Sequence, residues 1–429
     1  MADKKLLKNL SIFDPELFAL LKESHTKQQS MLSLMPTANA ISPFSTYLMS
    51  SAFASEFLDH HFKEHHGRLE KLAERRFREL FKADHAIVRV ESHAAASRVV
   101  LQALCEKGDN ILSFNLRKKE HCTGESMQYN FIKFALEPDT LEIDFDKLLA
   151  KAKECKPKLI IYSPTNYPKN IDCLKLHDIA RTVEAKLYVD IGQNAGLIAA
   201  GTLPSPVPYA DVVTFAANDA LHGPQSGIIL CKKELADILD RAVINTGHFN
   251  LKKNMLAAFA MVAKEALTDE YKAYTEEVIL NAKALEEGIK NANAETLLSP
   301  TENHLVLVKI PDDQDGETLA AKFAEADLLV KPERLLTTDD NISFPILRLS
   351  TLSATTRALT PKEMEEVGWH IGAFLHSPQD KESIKAIARM IKRMVESLPI
   401  FAEDWLPELE SIDHGKADMA INAMIHFGV

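Results

Sequence analysis

The stretch KLYVDIGQNAGLIAAGTLPSPVPYADVVTFAANDALHGPQSGIILCK (186–232) decides how this chain folds. It holds three short β-branched runs, KLYVDI, DVVTFA and GIILCK, separated by segments with helical or turn character. Upstream, HAIVRV (85–90), DNILSF (109–114) and KLIIYS (158–163) repeat the pattern, with AASRVVLQAL and CLKLHDIARTVEA between them. Strands alternating with helices predict βαβ units, so the fold class is α/β with a mainly parallel central sheet. In such a sheet the binding crevice lies beyond the strand carboxyl ends. The residues there are Glu91 to Ala94, Thr165, Asp190 to Asn194 and Ala217 to Ala220.

Outward from this core, AAFAMVAKEAL and EEVILNAKALEEGIKNA read as helices leading to a smaller α+β unit with strands LVLVKI (305–310) and ILRLST (346–351). Toward the amino end, DPELFALLKESHTKQQSMLSLMP reads as an amphipathic helical arm starting at Asp14-Pro15, of the kind that packs on a neighbouring subunit. SIKAIARMIKRMVESLP reads as a helix with a basic polar face, and the residues from Phe401 onward carry no assignment. The expected divisions are an arm over 1–40, a large domain over 41–285, a small α+β domain over 286–400 and an extension over 401–429.

A 429-residue chain that is 46% hydrophobic and 26% charged can bury a large core. Its net charge of −11 argues against nucleic acid as a partner, because phosphate binding needs a basic face. Five scattered cysteines without C-x-x-C pairing point to neither disulfides nor a zinc ribbon, and no apolar run reaches membrane-spanning length. A cytoplasmic protein without membrane partners is expected.

The run AGLIAAGTLPSPVPYADVVTF (195–215), preceded by YVDIGQN, resembles serine hydroxymethyltransferase, which typically reads D-x-A-H-x-A-G-L-x-A-A-G-x-x-P-S-P-V-P-x-A-D-V-V-T. DPELF, KPKLIIYS (156–163), KNIDCLKLHDIA (169–180) and RLSTLSATTR (348–357) extend the resemblance in the same order. It implies a pyridoxal-phosphate fold of type I and a homodimeric build.

Position by position, the resemblance implies altered chemistry. The family follows D-V-V-T with T-T-T-H-K-T-L-R-G-P-R-G-G, whereas this chain reads F-A-A-N-D-A-L-H-G-P-Q-S-G. Asp219 therefore stands at the lysine that holds the cofactor aldehyde, Asn218 at a histidine and Gln225 at an arginine. A carboxylate forms no imine, and it adds negative charge beside an anionic cofactor. Ala38 stands at the catalytic glutamate, with Asn39 kept, and ASEFLDHHFKEHHG (54–67) replaces the tyrosine-rich stretch, which makes folate binding doubtful. Glu120 aligns with the histidine that stacks on the pyridine ring, with His121 adjacent. The phosphate-binding S-G-S becomes Ser92-His93-Ala94, keeping one hydroxyl at a helix start, and His248 to Leu251 replace a glycine loop.

Three positions keep the family's chemistry. Asp190 matches the partner of the pyridine nitrogen, Thr165 replaces a serine near the ring hydroxyl, and Arg348 matches the clamp on a substrate carboxylate. Asp190 and Arg348 read equally well as structural hydrogen-bonding groups at strand ends. Gln193, at the family's histidine, keeps a hydrogen-bonding role only. Separately, His61 and His65 have the i, i+4 spacing that chelates zinc or nickel, against a solvated helix face as the ordinary reading.

The expectation is a family member without covalent pyridoxal phosphate or hydroxymethyl transfer, acting as a binding, regulatory or partner subunit. The cofactor stays open, with pyridoxal phosphate admissible only non-covalently. Candidate partners are a second copy, an active paralogue, and an amino-acid or carboxylate ligand. Two alternatives remain: an enzyme of altered chemistry using non-covalent pyridoxal or pyridoxamine phosphate on an amino acid, and a metal-binding or pH-responsive protein built on the histidine cluster.

Overall fold

The chain opens with two helices in series, α1 (Ala2–Phe13) and α2 (Pro15–Ser30). In this computed structural model, residues 2–55, 63–114, 129–248 and 251–407 are described. The arm thus begins a full helix before Asp14-Pro15, a correction to the sequence expectation. Asp14 still caps α2, its Oδ1 accepting from the Leu17 amide at 2.9 Å with Pro15 in the first turn. No residue of α2 is buried, and Leu6, Ile12, Phe13, Leu17 and Leu20 are exposed along both helices.

After β1 (Leu32–Ser33), α3 (Pro43–Met49) and α4 (Lys63–Phe81), the chain enters the large sheet through β2 (His85–Val90) and α5 (His93–Leu104). There follow β3 (Asn110–Phe114), β4 (Asn130–Phe134), α6 (Phe145–Cys155), β5 (Leu159–Tyr162) and α7 (Cys173–Thr182). β6 (Lys186–Asp190), α8 (Ala195–Ala199), β7 (Val212–Phe215) and β8 (Gly227–Cys231) complete it. The strand order is β2-β8-β7-β6-β5-β3-β4, with only β8 antiparallel to its neighbours. β5, β7 and β8 are buried at every residue, which is why they read as unbroken apolar runs.

Helices α9 (Ala236–Asn245), α10 (Lys253–Glu265) and α11 (Asp269–Asn291) carry the chain to β9 (Thr296–Leu297) and β10 (Leu305–Lys309). Then come α12 (Gly316–Glu325), β11 (Leu328–Leu329), β12 (Lys331–Leu336) and β13 (Ser343–Ser350). The last helices are α13 (Leu352–Thr356), α14 (Pro361–His376) and α15 (Lys381–Val395). This second sheet is antiparallel in the order β12-β13-β10-β9, while β1 pairs with β11 and so ties the end of the arm to it. Ile387, Met390, Ile391 and Met394 turn the apolar face of α15 into the core of this unit.

The carboxyl ends of β2, β5, β6 and β7 lie at one edge of the large sheet. Arg348, on β13 of the second sheet, reaches residue 193 beyond β6, so both sheets furnish one crevice.

Candidate functional site

Asp190 ends β6, and its carboxylate is engaged from three sides within the chain. Oδ1 accepts from the Gly192 amide at 2.9 Å, Oδ2 from the Ser163 hydroxyl at 3.2 Å, and His93 Nε2 lies 2.8 Å from Oδ1. His93 is the first residue of α5, immediately after its cap Ser92. A cation there faces the positive end of the helix dipole, so the pairing with Asp190 offsets an unfavourable position. Burial opposes charge on the ring, but Asp190 and then Asp219 outweigh it and raise the His93 pKa above its ordinary value. The ring lies directly against Gly192: a Cβ at 192 would stand 2.5 Å from His93 Cε1.

Arg348 is only 2% exposed. Its Nη1 donates to Glu333 Oε1 at 3.2 Å, and Nη2 makes a short bond to Gln193 Oε1. Glu333 also meets Lys331 Nζ at 2.9 Å. Burial works against ionised Glu333, yet Arg348 and Lys331 hold its pKa below the usual value, so the pair is charged. Gln193 is fixed at its other end by His304, whose Nε2 is 2.8 Å from the Gln193 carbonyl and whose Nδ1 is 2.8 Å from Ser350 Oγ. Burial and Arg348 push the His304 pKa down to about 3, so the ring is neutral, donates from Nε2 and accepts from Ser350.

Asp219 opens a single 3-10 turn, Asp219–Leu221, at φ +54°. Its Oδ1 accepts from Asn218 Nδ2 at 2.8 Å, and its carbonyl from Asn39 Nδ2 at 2.9 Å. Asn39 Oδ1 in turn accepts from Thr356 at 2.7 Å, fixing the segment beside Ala38 against α13. Burial pushes the Asp219 pKa up to about 6, although Asn218, His93 and Arg348 all pull it down. The crevice thus alternates in sign: Asp190, His93, Asp219, Arg348, Glu333.

A carboxyl whose folded pKa exceeds its unfolded value of 3.8 contributes stability below that value and loses it as pH rises through about 6. Ionised Asp219 therefore costs stability at pH 8. Asp219→Asn, which also suits a left-handed φ, is expected to stabilise the protein at pH 8 by roughly 1–2 kcal/mol, with the gain shrinking toward pH 4. Denaturant titrations at the two pH values check this; an equal gain at both would assign the effect to the backbone alone.

The remaining expected positions divide plainly. Thr165 is half-buried after β5, and Ala38 is half-buried beside Asn39. The Ser92 hydroxyl caps α5 by accepting from the Ala95 amide at 3.2 Å. Gln225 is exposed. Lys232 donates to the carbonyls of Val207 and Pro208 at 3.1 and 3.0 Å. A cavity of about 50 Å³ beside Asp190 is lined by Gln193, Cys173 and Lys169, but Lys169 Nζ is spent on the Pro300 carbonyl at 2.6 Å. Glu120, His121, His61 and the side chain of His65 lie outside the described residues. Among the described residues no group of three metal-ligating side chains gathers, and no helix is long and apolar enough to cross a membrane. Sequence reasoning missed Glu333 and His304, and it took His93 only as a lost glycine. The signal for His93 was Gly192, small where the family motif has alanine.

A mainly parallel α/β sheet with its polar groups at the strand carboxyl ends, completed by an arginine from a smaller α+β unit, is the fold-type I architecture of pyridoxal-phosphate enzymes. The family model for serine hydroxymethyltransferase matches residues 10–371. A serine hydroxymethyltransferase of Myxococcus xanthus (strain DK1622) is 31% identical over 417 residues, 92% of this chain and 98% of that protein. The chain belongs to the serine hydroxymethyltransferase family.

Proposed function

We propose that this family member holds no covalent pyridoxal phosphate, does not transfer hydroxymethyl groups, and serves as a binding or partner subunit of a homodimer. The observation that carries the reading is Asp219, a carboxyl at the position the family motif gives to lysine, in a turn fixed by Asn218 and Asn39. The surrounding side chains do not fit the cofactor either. Asp190 holds His93, and Arg348 holds Glu333 and Gln193. A pyridine nitrogen and a substrate carboxylate would each have to displace a group of this chain from its partner. Opening the buried Arg348–Glu333 pair without a replacement costs roughly 3–5 kcal/mol.

The dimer draws support from the arm, where Phe13 is 90% exposed and Ile12 72%. The division into an arm, a large domain, a small domain from about 286 and an extension draws support from a second core built mainly by the smaller sheet with α12, α14 and α15, although Leu307, Leu335 and Ile346 of that sheet also pack into the core of the large one.

Serine cleavage assayed with tetrahydrofolate and saturating pyridoxal phosphate tests the loss of activity. The expected result is no turnover above the protein-free rate; turnover at an ordinary enzymatic rate, on the order of 1 per second or more, would defeat the reading. One observation favours a second reading, an enzyme acting on an amino acid with non-covalent cofactor: the Asp219 carboxyl near pH 6 is a serviceable base. Calorimetric titration with pyridoxal or pyridoxamine phosphate in the presence of amino acids tests it, and no heat of binding for either would remove it.

A further inference from the structure

We propose that the imidazole of His93 is a built-in occupant of the crevice, seated on Asp190 and Gly192 in the place an external aromatic cation would take, so that the chain closes its own ring site. This deepens the reading above and rests on it in one respect, that no covalent cofactor holds the crevice open.

The case is geometric. The imidazole has a carboxylate at ion-pair distance on one side and a floor without side-chain bulk on the other. Asp190 Oδ1 lies 2.8 Å from Nε2, and Gly192 provides the floor, where a methyl group would be 2.5 Å from Cε1 and 3.1 Å from Nδ1. Bulk has been exchanged between two segments 99 positions apart in the chain (192 − 93): the position that reads glycine in S-G-S is His93, and the position that reads alanine in D-x-A-H is Gly192. The larger side chain at 93 lies where the smaller residue at 192 leaves room for it. An alanine at 192 would press on the ring beside Asp190, and a glycine at 93 would take the imidazole away from that carboxylate. The carboxylate is held in place by the Gly192 amide and the Ser163 hydroxyl, so the seat is preformed. At the far end, Glu333 stands on Arg348 as an external carboxylate would. Both anchors therefore face ligands supplied in cis.

Removing the occupant should open the seat. The probe is pyridoxamine phosphate, whose ring can meet Asp190 but which has no aldehyde to react with stray lysines. Calorimetric titration of the full chain is expected to show His93→Gly binding it at least about tenfold tighter than the unaltered chain, with the gain lost when Asp190→Asn is added. Equal affinity of the unaltered chain and His93→Gly would overturn the inference, whatever the serine cleavage assay reports; a chain inactive in that assay yet binding the probe at full strength would sink self-occupancy alone. Should His93→Gly fold poorly, His93→Ala carries the same test. A second readout needs no ligand: Gly192→Ala should lower the thermal midpoint of the unaltered chain more than that of His93→Gly, where only the tight approach to Asp190 Oδ1 remains. An equal fall in both backgrounds would show that residues 93 and 192 are not coupled, which also overturns the inference.

Discussion

Arg357→Ala is expected to cost about 4 kcal/mol of stability, read as a lower denaturant midpoint, because it removes one buried cation from six backbone acceptors. Arg357 is 3% exposed. Nε donates to the Pro399 carbonyl at 3.1 Å; Nη1 to Gln28 and Met31 at 3.4 and 2.8 Å; Nη2 to Gln29, Val395 and Leu398 at 2.9, 3.2 and 3.4 Å. These carbonyls belong to the carboxyl ends of α2 and α15 and to the turn after α15, where intrahelical donors run out and the helix dipoles are negative. One guanidinium thus replaces two helix caps. Lysine keeps the charge but offers three donors, so Arg357→Lys should fall between the two. The arm and the segment leading to Ala38 and Asn39 are tied down by this clamp, so its loss should also loosen the support of Asp219. A loss under about 1 kcal/mol for Arg357→Ala would mean that water replaces the guanidinium freely.

Gly288→Ala is expected to cost roughly 3 kcal/mol, even though alanine is the better helix former by about 1 kcal/mol. An ideal Cβ at Gly288 on α11 would sit 2.0 Å from the Glu365 carbonyl oxygen on α14, and one at Gly368 on α14 would sit 2.2 Å from the Leu285 oxygen on α11. The two helices cross backbone to backbone, so the methyl group meets carbonyl oxygen rather than a side chain that can turn away. The helices must separate, and α11 also carries Tyr274 and Asn281, whose hydrogen bonds hold α13 behind the crevice. Thermal unfolding of Gly288→Ala checks this, and a midpoint at or above that of the unaltered chain would show that the crossing yields without cost.

The parallel strands were legible because burial on both faces demands continuous apolar, β-branched sequence, as in β5, β7 and β8. β12 was not legible: KPERLL puts Pro, Lys and Arg on the edge strand of its sheet, where charge is favourable, and its Glu333 is charged because it meets Arg348 and Lys331 rather than solvent. β4, an edge strand with lysine in its NFIKF run, escaped for the same reason. α1 lacks the cap and first-turn proline that announced α2.

In the crevice, Asp190 and Asp219 followed from their places at strand ends. The partners of Asp190 and Arg348 did not, since His93 and Glu333 come from other strands and helices, and one chain read by itself does not disclose which residues the fold brings together. The glycine at 192 was visible all along, but it acquires meaning only beside the ring that lies on it.

The proposal that Asp219 provides no covalent anchor is open to direct measurement. The full chain is incubated with pyridoxal phosphate, reduced with borohydride, and its pyridoxyl-lysines are mapped by peptide mass spectrometry. The expected result is scattered, substoichiometric modification of exposed lysines that does not respond to added serine or glycine. A single stoichiometric adduct on one lysine, displaced when serine is added before reduction, would contradict the account.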